Sequence, residues 1–252
     1  MTSLALLRES SPALFCTMSA ILGAIIGSFL GVVAERVPQM MLGEDSQINL
    51  LFPASHCPAC QHQLCWWENI PLVSWLALRL WLLEAFTALF FAATAWCLPT
   101  VSALFSLWLM AAFLLPLAII DGRYQLLPDC LTQPLLWAGL LVHTFSHTLA
   151  LSDAIIGAVA GYMSLWLLYW AFRLATGKEG LGYGDFKLLA ALGAWCGWLA
   201  LPTIILLASL MGITGYFFFI RSTNKSPQIP FGPAIALAGV MTFINHIYAL
   251  AL

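Results

Sequence analysis

Three aspartates stand where apolar runs meet polar loops. Asp121 follows "FLLPLAII", Asp129 sits in "LLPDCLTQP", and Asp185 ends "GLGYGD" ahead of "FKLLAALGAW". A charged Asp at the centre of a membrane helix costs about 2.5–3.5 kcal/mol on insertion scales and less near the interface, so acids at such boundaries often have a task. Two carboxylates brought together in a partly dry site share a proton, because like charges a few ångströms apart cannot both ionise easily. The ionised member can take a proton from water while the protonated member polarises a carbonyl oxygen, and the two titrate as one coupled pair. Gly182 and Gly184 would then bare the backbone where an extended peptide lies close to the acid. The plainer task is capping. Asp129 follows a proline and precedes an apolar run, which predicts an N-cap. Asp185 fits an N-cap as well as it fits a reactive pair. Asp121 fits no cap, because the macrodipole disfavours an acid at a helix C-terminus. Some other partner or task must hold it.

The elements that carry these acids follow from composition. The chain has 252 residues, 62% hydrophobic and 8% charged, with a mean hydropathy of +0.94. A soluble domain carries about 25% charged residues, so the solvent for most of this chain is a bilayer. A net charge of −2 without a basic run gives no indication of nucleic acid. Apolar runs fall at 14–35, 71–97, 101–120, 130–148, 153–175, 186–199, 201–220 and 232–251. The reading is an all-α polytopic membrane protein of about eight transmembrane helices, a single integral-membrane domain over 1–252, with residues 101–252 carrying the acids. The start "MTSLALLRESSPALF" lacks a basic n-region and a cleavage site, so the first run is read as a retained helix.

Orientation follows the Lys and Arg residues. Arg36, Arg123, Arg173, Lys178, Lys187, Arg221 and Lys225 flank alternate connections, and the connections around 98–101, 148–153 and 199–202 contain neither residue type. This places the polar stretch 36–70 in the cytoplasm and both termini outside. Arg8 is the basic residue on the wrong side, with Glu9 beside it. Asp121 and Asp185 then lie at the same cytoplasmic depth.

At these residues the chain resembles the type IV prepilin leader peptidases, bacterial inner-membrane aspartic proteases of the G-x-G-D class. The resemblance is carried in order by "GAIIGSFLGVVAERVP" (23–38), "CPACQHQLCWWENIPLVSWLAL" (57–78), "IIDGRYQLLPDCLTQPLLWAGL" (119–140), "TGKEGLGYGDFKLLAALGAW" (176–195) and "IPFGPAIALAG" (229–239). It implies that Asp121 and Asp185 are the catalytic pair, with Asp129 supporting. It also implies that prepilins or pseudopilins lose a short basic leader at the cytoplasmic face of the inner membrane, commonly between a glycine and a phenylalanine. Peptidase activity needs no cofactor, whereas N-methylation of the new terminus would use S-adenosylmethionine.

Two departures fall in the N-terminal half. Members commonly carry two C-x-x-C pairs that hold one zinc, and here only "CPAC", Cys57 and Cys60, is present. A structural zinc takes four ligands. His62 and Cys65 would complete a set, with His56 spare, but four ligands within so short a stretch demand a very tight loop. Unligated reduced thiols are the default in a cytoplasmic loop. Gly31 stands where the family typically has asparagine. Glu84, inside the second helix, either pairs with Arg79 or lines the methyl-transfer site. Cys16, Cys97, Cys130 and Cys196 read as packing residues, and His143 and His147 as interfacial residues. From another class, a proton-coupled transporter would use intramembrane acids too, but its site should lie near the bilayer midplane between repeated halves. No repeat is evident.

Overall fold

A computed structural model describes residues 2–43, 78–146, 148–177, 182–222 and 230–251. Among them the chain is helical, with no strand. A short α1 (Thr2–Ser10) leads into α2 (Pro12–Leu42), followed by α3 (Leu78–Cys97), α4 (Val101–Tyr124), α5 (Asp129–Ser146), α6 (Leu151–Thr176), α7 (Tyr183–Cys196), α8 (Leu201–Ser222) and α9 (Gly232–Ala251). The eight apolar runs thus match α2 to α9. Five stretches are long and apolar enough to cross a membrane by themselves: Pro12–Leu42, Val101–Tyr124, Leu151–Thr176, Trp198–Gly215 and Gly232–Ala249. This is an all-α polytopic membrane protein. One boundary moves. The polar stretch expected to be loop from residue 36 begins as helix, because α2 continues to Leu42 and stops at Gly43, whose φ of 70° gives it the left-handed cap.

The helices form two compact units, Met1–Trp108 and Leu109–Leu252, divided within α4; by sequence the whole chain reads as one domain. In the first unit α2 lies along α3, with Leu30 and Gly31 both buried. The Phe91 and Trp108 rings stack at 4.5 Å, and the Trp108 indole donates to Thr94 Oγ1 at 2.9 Å. Arg8 has a place after all: its guanidinium donates to the carbonyl oxygens of Leu98 and, at 2.9 Å, of Pro99. A cation is favoured at a helix's carbonyl end, and these carbonyls follow the end of α3.

The second unit is built around α7. At 14 residues this helix is about 21 Å long, too short for a hydrocarbon core of about 30 Å. Every residue from Leu188 to Cys196 is buried. A helix apolar on all sides belongs inside a protein, and α5, α6, α8 and α9 all pack against it. The closest approach is to α6, where a Cβ on Gly157 would lie 2.2 Å from the carbonyl oxygen of Gly193 and one on Gly193 would lie 2.1 Å from that of Gly157. Only glycine permits backbones this close, the small-residue contact by which membrane helices associate. The same end of α7 is also tied to α5. Trp195 donates its indole N–H to the Leu135 carbonyl at 2.9 Å, and His143 Nε2 lies 2.9 Å from the Trp195 carbonyl. His143 is therefore a buried, hydrogen-bonded core residue with its Nδ1 3.0 Å from Thr148 Oγ1, which replaces the interfacial reading. His147 lies outside the described residues. The four described cysteines form no disulfide; Cys196 is buried, while Cys97 and Cys130 are exposed and do not pack as expected.

Candidate active site

Asp121 and Asp185 both lie in the second unit, and both are buried, at 6% and 7% exposure. They are close enough that the charge of Asp121 acts directly on Asp185. Their sequence separation gave no guarantee of this. The arrangement rests on how two helices start.

Asp185 is the third residue of α7, whose N-cap is Gly182. An acid in the first turn is favoured by the positive end of the helix. Its carboxyl also receives a hydrogen bond from the Gly182 amide. That is the acidic half of a capping box, in which a side chain three residues into the helix reaches back to the N-cap amide. Asp185 is thus not the N-cap that one reading of the sequence allowed, since Gly182 holds that position; it reaches back from inside the first turn and has a second acid within electrostatic reach. The start of α7 is fixed against α6 by an aromatic cluster. The Tyr183 hydroxyl donates to that of Tyr169 at 3.0 Å, Arg173 donates to the same Tyr169 oxygen at 3.1 Å, and Phe186 packs edge-on to Tyr162.

Asp121 lies one turn before the end of α4. The chain leaves that helix through Gln125, which has a φ of 53° and donates its amide to the Asp121 carbonyl at 2.9 Å. A non-glycine residue in this conformation is uncommon and turns the backbone sharply beside the acid. The partner that the sequence demanded for Asp121 is the start of α9. Gly232 donates its backbone N–H to Asp121 Oδ2 at 2.8 Å, across 111 residues.

Asp129 is placed differently from the expectation. The Pro128 carbonyl accepts from the amides of Leu131 and Thr132, so Asp129 is the first residue inside α5 rather than its cap. Its carboxylate is held by Lys187 Nζ at 2.6 and 2.9 Å. This pair is largely open, with the Asp129 side chain 61% exposed. Lys187, two residues beyond Asp185, counts in the sequence only as an orienting cation; its acidic partner lies 58 residues away.

The two glycines before Asp185 also separate. A Cβ on Gly184 would lie 2.7 Å from Leu127 Cβ, so its missing side chain makes room for the connection between α4 and α5. A Cβ on Gly182 would meet only Asp185 Oδ2, at 3.5 Å. Backbone is therefore bare beside the acid at Gly182 alone. Cys57, Cys60, His62, Cys65 and His56 lie outside the described residues, and so does the side chain of Arg79. Among the described residues no group of three or more His, Cys, Asp or Glu side chains is arranged to hold a metal ion. Glu84 is buried inside α3.

Chemically, two buried carboxyls in electrostatic reach, each anchored by one backbone amide, can divide one proton between them and act as a base and an acid on the same bound water.

The chain matches the model of the type IV leader peptidase family over residues 108–217 and that of the bacterial peptidase A24 N-terminal domain over residues 21–81. It is 44% identical to a prepilin leader peptidase/N-methyltransferase of Pseudomonas aeruginosa, over 91% of this chain and 90% of that one. It is likewise 44% identical to one of Aeromonas hydrophila, over 92% and 91%, and 42% identical to one of Pectobacterium carotovorum, over 93% and 95%. No solved structure matches the chain. The transporter alternative draws no support from these matches.

Proposed function

The chain belongs to the type IV leader peptidase family, and we propose that it is an intramembrane aspartic endopeptidase whose reactive groups are Asp121 and Asp185. Its substrates are prepilins or pseudopilins, cut at the cytoplasmic face of the bacterial inner membrane to release a basic leader. The observation that carries this reading is the burial of two carboxyls within electrostatic reach of one another.

The reaction follows from what each acid supplies. The ionised carboxylate removes a proton from a water held between the pair, and the water oxygen bonds to the scissile carbonyl carbon. The protonated carboxyl gives its proton to the carbonyl oxygen, forming a neutral tetrahedral diol. The proton taken from water then passes to the amide nitrogen as the carbon–nitrogen bond breaks, and a diol hydroxyl returns the other proton to the pair. Protons balance, and no metal or external base is consumed. Gly182, bare beside Asp185, is where an extended substrate backbone can come closest. The asymmetric distribution of Lys and Arg supports both termini on the periplasmic side, which reporter fusions at either end would test.

The relatives' names include a second activity, N-methyltransferase. Methyl transfer would draw on S-adenosylmethionine. None of the described residues is assigned to hold it, and no step of the cleavage above uses it. The departures from the family pattern fall in the N-terminal half and leave both acids untouched, so cleavage is expected to proceed without the methyl donor. The test is direct: purified protein in detergent, mixed with a prepilin, should convert it to a faster-migrating product without added methyl donor. A prepilin left uncut by well-folded enzyme would overturn the assignment.

A further inference from the structure

Asp121 lies in the last turn of an apolar helix, where the helix's own dipole disfavours a negative charge. Its position is explained by a second helix that begins at the same place. The Phe231 carbonyl accepts the first bond of α9, from the Ile235 amide at 3.1 Å, which makes Phe231 the N-cap and Gly232 the first helical residue. The opening N–H groups of a helix have no partner within it. In α9 the residue after Gly232 is Pro233, which has no N–H. The Gly232 amide is thus the first donor that this helix presents, and it is spent on Asp121 Oδ2.

Resting on the dyad reading above, we propose that Gly232 is a positioning residue of the peptidase, fixing Asp121 through its backbone amide and admitting the carboxylate through its missing side chain. The steric half of the argument is as sharp as the hydrogen bond. A Cβ on Gly232 would lie 2.6 Å from Asp121 Oδ2, 2.9 Å from Cγ and 3.1 Å from Cβ. The neighbour it meets is the short side chain of an acid buried on all sides, so the carboxylate would have to turn away. Gly122, next to Asp121 in sequence, shows the contrast, since nothing lies within 4 Å of the Cβ it would gain. The amide holds one oxygen of Asp121 and leaves the other for the shared proton and the water. Hydrogen bonding of the anionic form by an N–H at a positive helix end offsets the unfavourable dipole of α4.

The test separates the amide from the space around it. Gly232→Ala, in the full chain in nanodiscs, should lower kcat for prepilin cleavage about 100-fold or more, the usual consequence of displacing a catalytic group by an ångström. Replacing Gly232 by glycolic acid during cell-free synthesis removes the N–H and adds no side chain; it also weakens the Phe231 carbonyl as acceptor for Ile235, an effect that the thermal midpoint reads. This replacement should lower kcat about 10-fold or more, the worth of one hydrogen bond to a charged group, with KM within about two-fold because ground-state binding is untouched. The thermal midpoint of the ester variant should stay within a few degrees of wild type. Gly122→Ala should keep wild-type kcat. If Gly232→Ala fails to fold, the ester variant alone decides. Wild-type kcat in the ester variant, or a kcat loss that merely follows a fall in thermal midpoint, overturns the positioning role. Asp121→Asn in the same assay separates the two readings. Inactive Asp121→Asn beside a fully active ester variant removes Gly232 and leaves the dyad, whereas active Asp121→Asn removes both.

Discussion

Asp185 and Asp129 each lie in the first turn of a helix, α7 and α5, and each has a charged residue from another helix as its neighbour. For Asp129 the neighbour is a cation and the pair is open to solvent. For Asp185 it is a second acid, and both are buried. An exposed ion pair contributes about 0.2–1 kcal/mol, and here it clasps the start of α5 to the start of α7. Burying two acids together opposes folding instead, because desolvation and mutual repulsion both act against their charges. Stability therefore explains the Asp129–Lys187 pair and does not explain Asp121 with Asp185. Groups kept at a cost to the fold are where chemistry is expected.

The sharpest way to break this contrast is to neutralise one acid at a time. Asp121→Asn and Asp185→Asn should each lower prepilin cleavage at least about 1000-fold, since each removes a role that the other cannot fill. A gel assay against wild type, with insertion checked by detergent extraction and folding, reads this directly. Next in size is the anchor at the far end of α7. His143→Ala removes two hydrogen bonds from a buried site and should destabilise the protein by about 1–3 kcal/mol, lowering the thermal midpoint while leaving activity per folded molecule unchanged. A large loss of kcat without loss of stability would extend the site to that end of the helix.

Smaller again is the effect of the clasp. Asp129→Asn or Lys187→Met should cost less than about five-fold in rate, in keeping with an exposed pair; a loss as large as that of Asp185→Asn would make Asp129 a member of the site. The smallest effect is expected in the loop. Cys57→Ser with Cys60→Ser should leave cleavage within about three-fold of wild type if the thiols are unligated. Stoichiometric zinc by elemental analysis, lost together with activity in the double variant, would reverse that reading.

Much of this was legible from the sequence because single-chain periodicity carries it. The eight apolar runs correspond to α2 to α9, of which α7 is too short to span, and the interruption of "GLGYGD" before an apolar run marked the start of α7. The macrodipole argument also showed that Asp121 needed an outside partner. What could not be read were the partners themselves. Gly232 is 111 residues from Asp121, Lys187 is 58 from Asp129, and His143 is 52 from Trp195. Each pairing depends on which helices become neighbours, which no local pattern states. Gly184 was assigned to substrate clearance because the acid follows it, whereas its real neighbour is Leu127, in a different connection. One signal was available and unused. The spacing of Gly157 and Gly161 marks a close helix contact in an apolar segment, and Gly157 is where α6 meets α7.

The central claim is that Asp121 and Asp185 act as one unit, and a double-mutant cycle measures it. Cleavage rates of Asp121→Asn, Asp185→Asn and the combined variant should be compared in correctly inserted protein. If the two share one proton and one water, the double variant is no slower than either single, because the first substitution already removes the function of the pair. Losses that multiply would mean two independent contributions. An Asp185→Asn enzyme that cleaves prepilin at near wild-type rate would contradict the account outright.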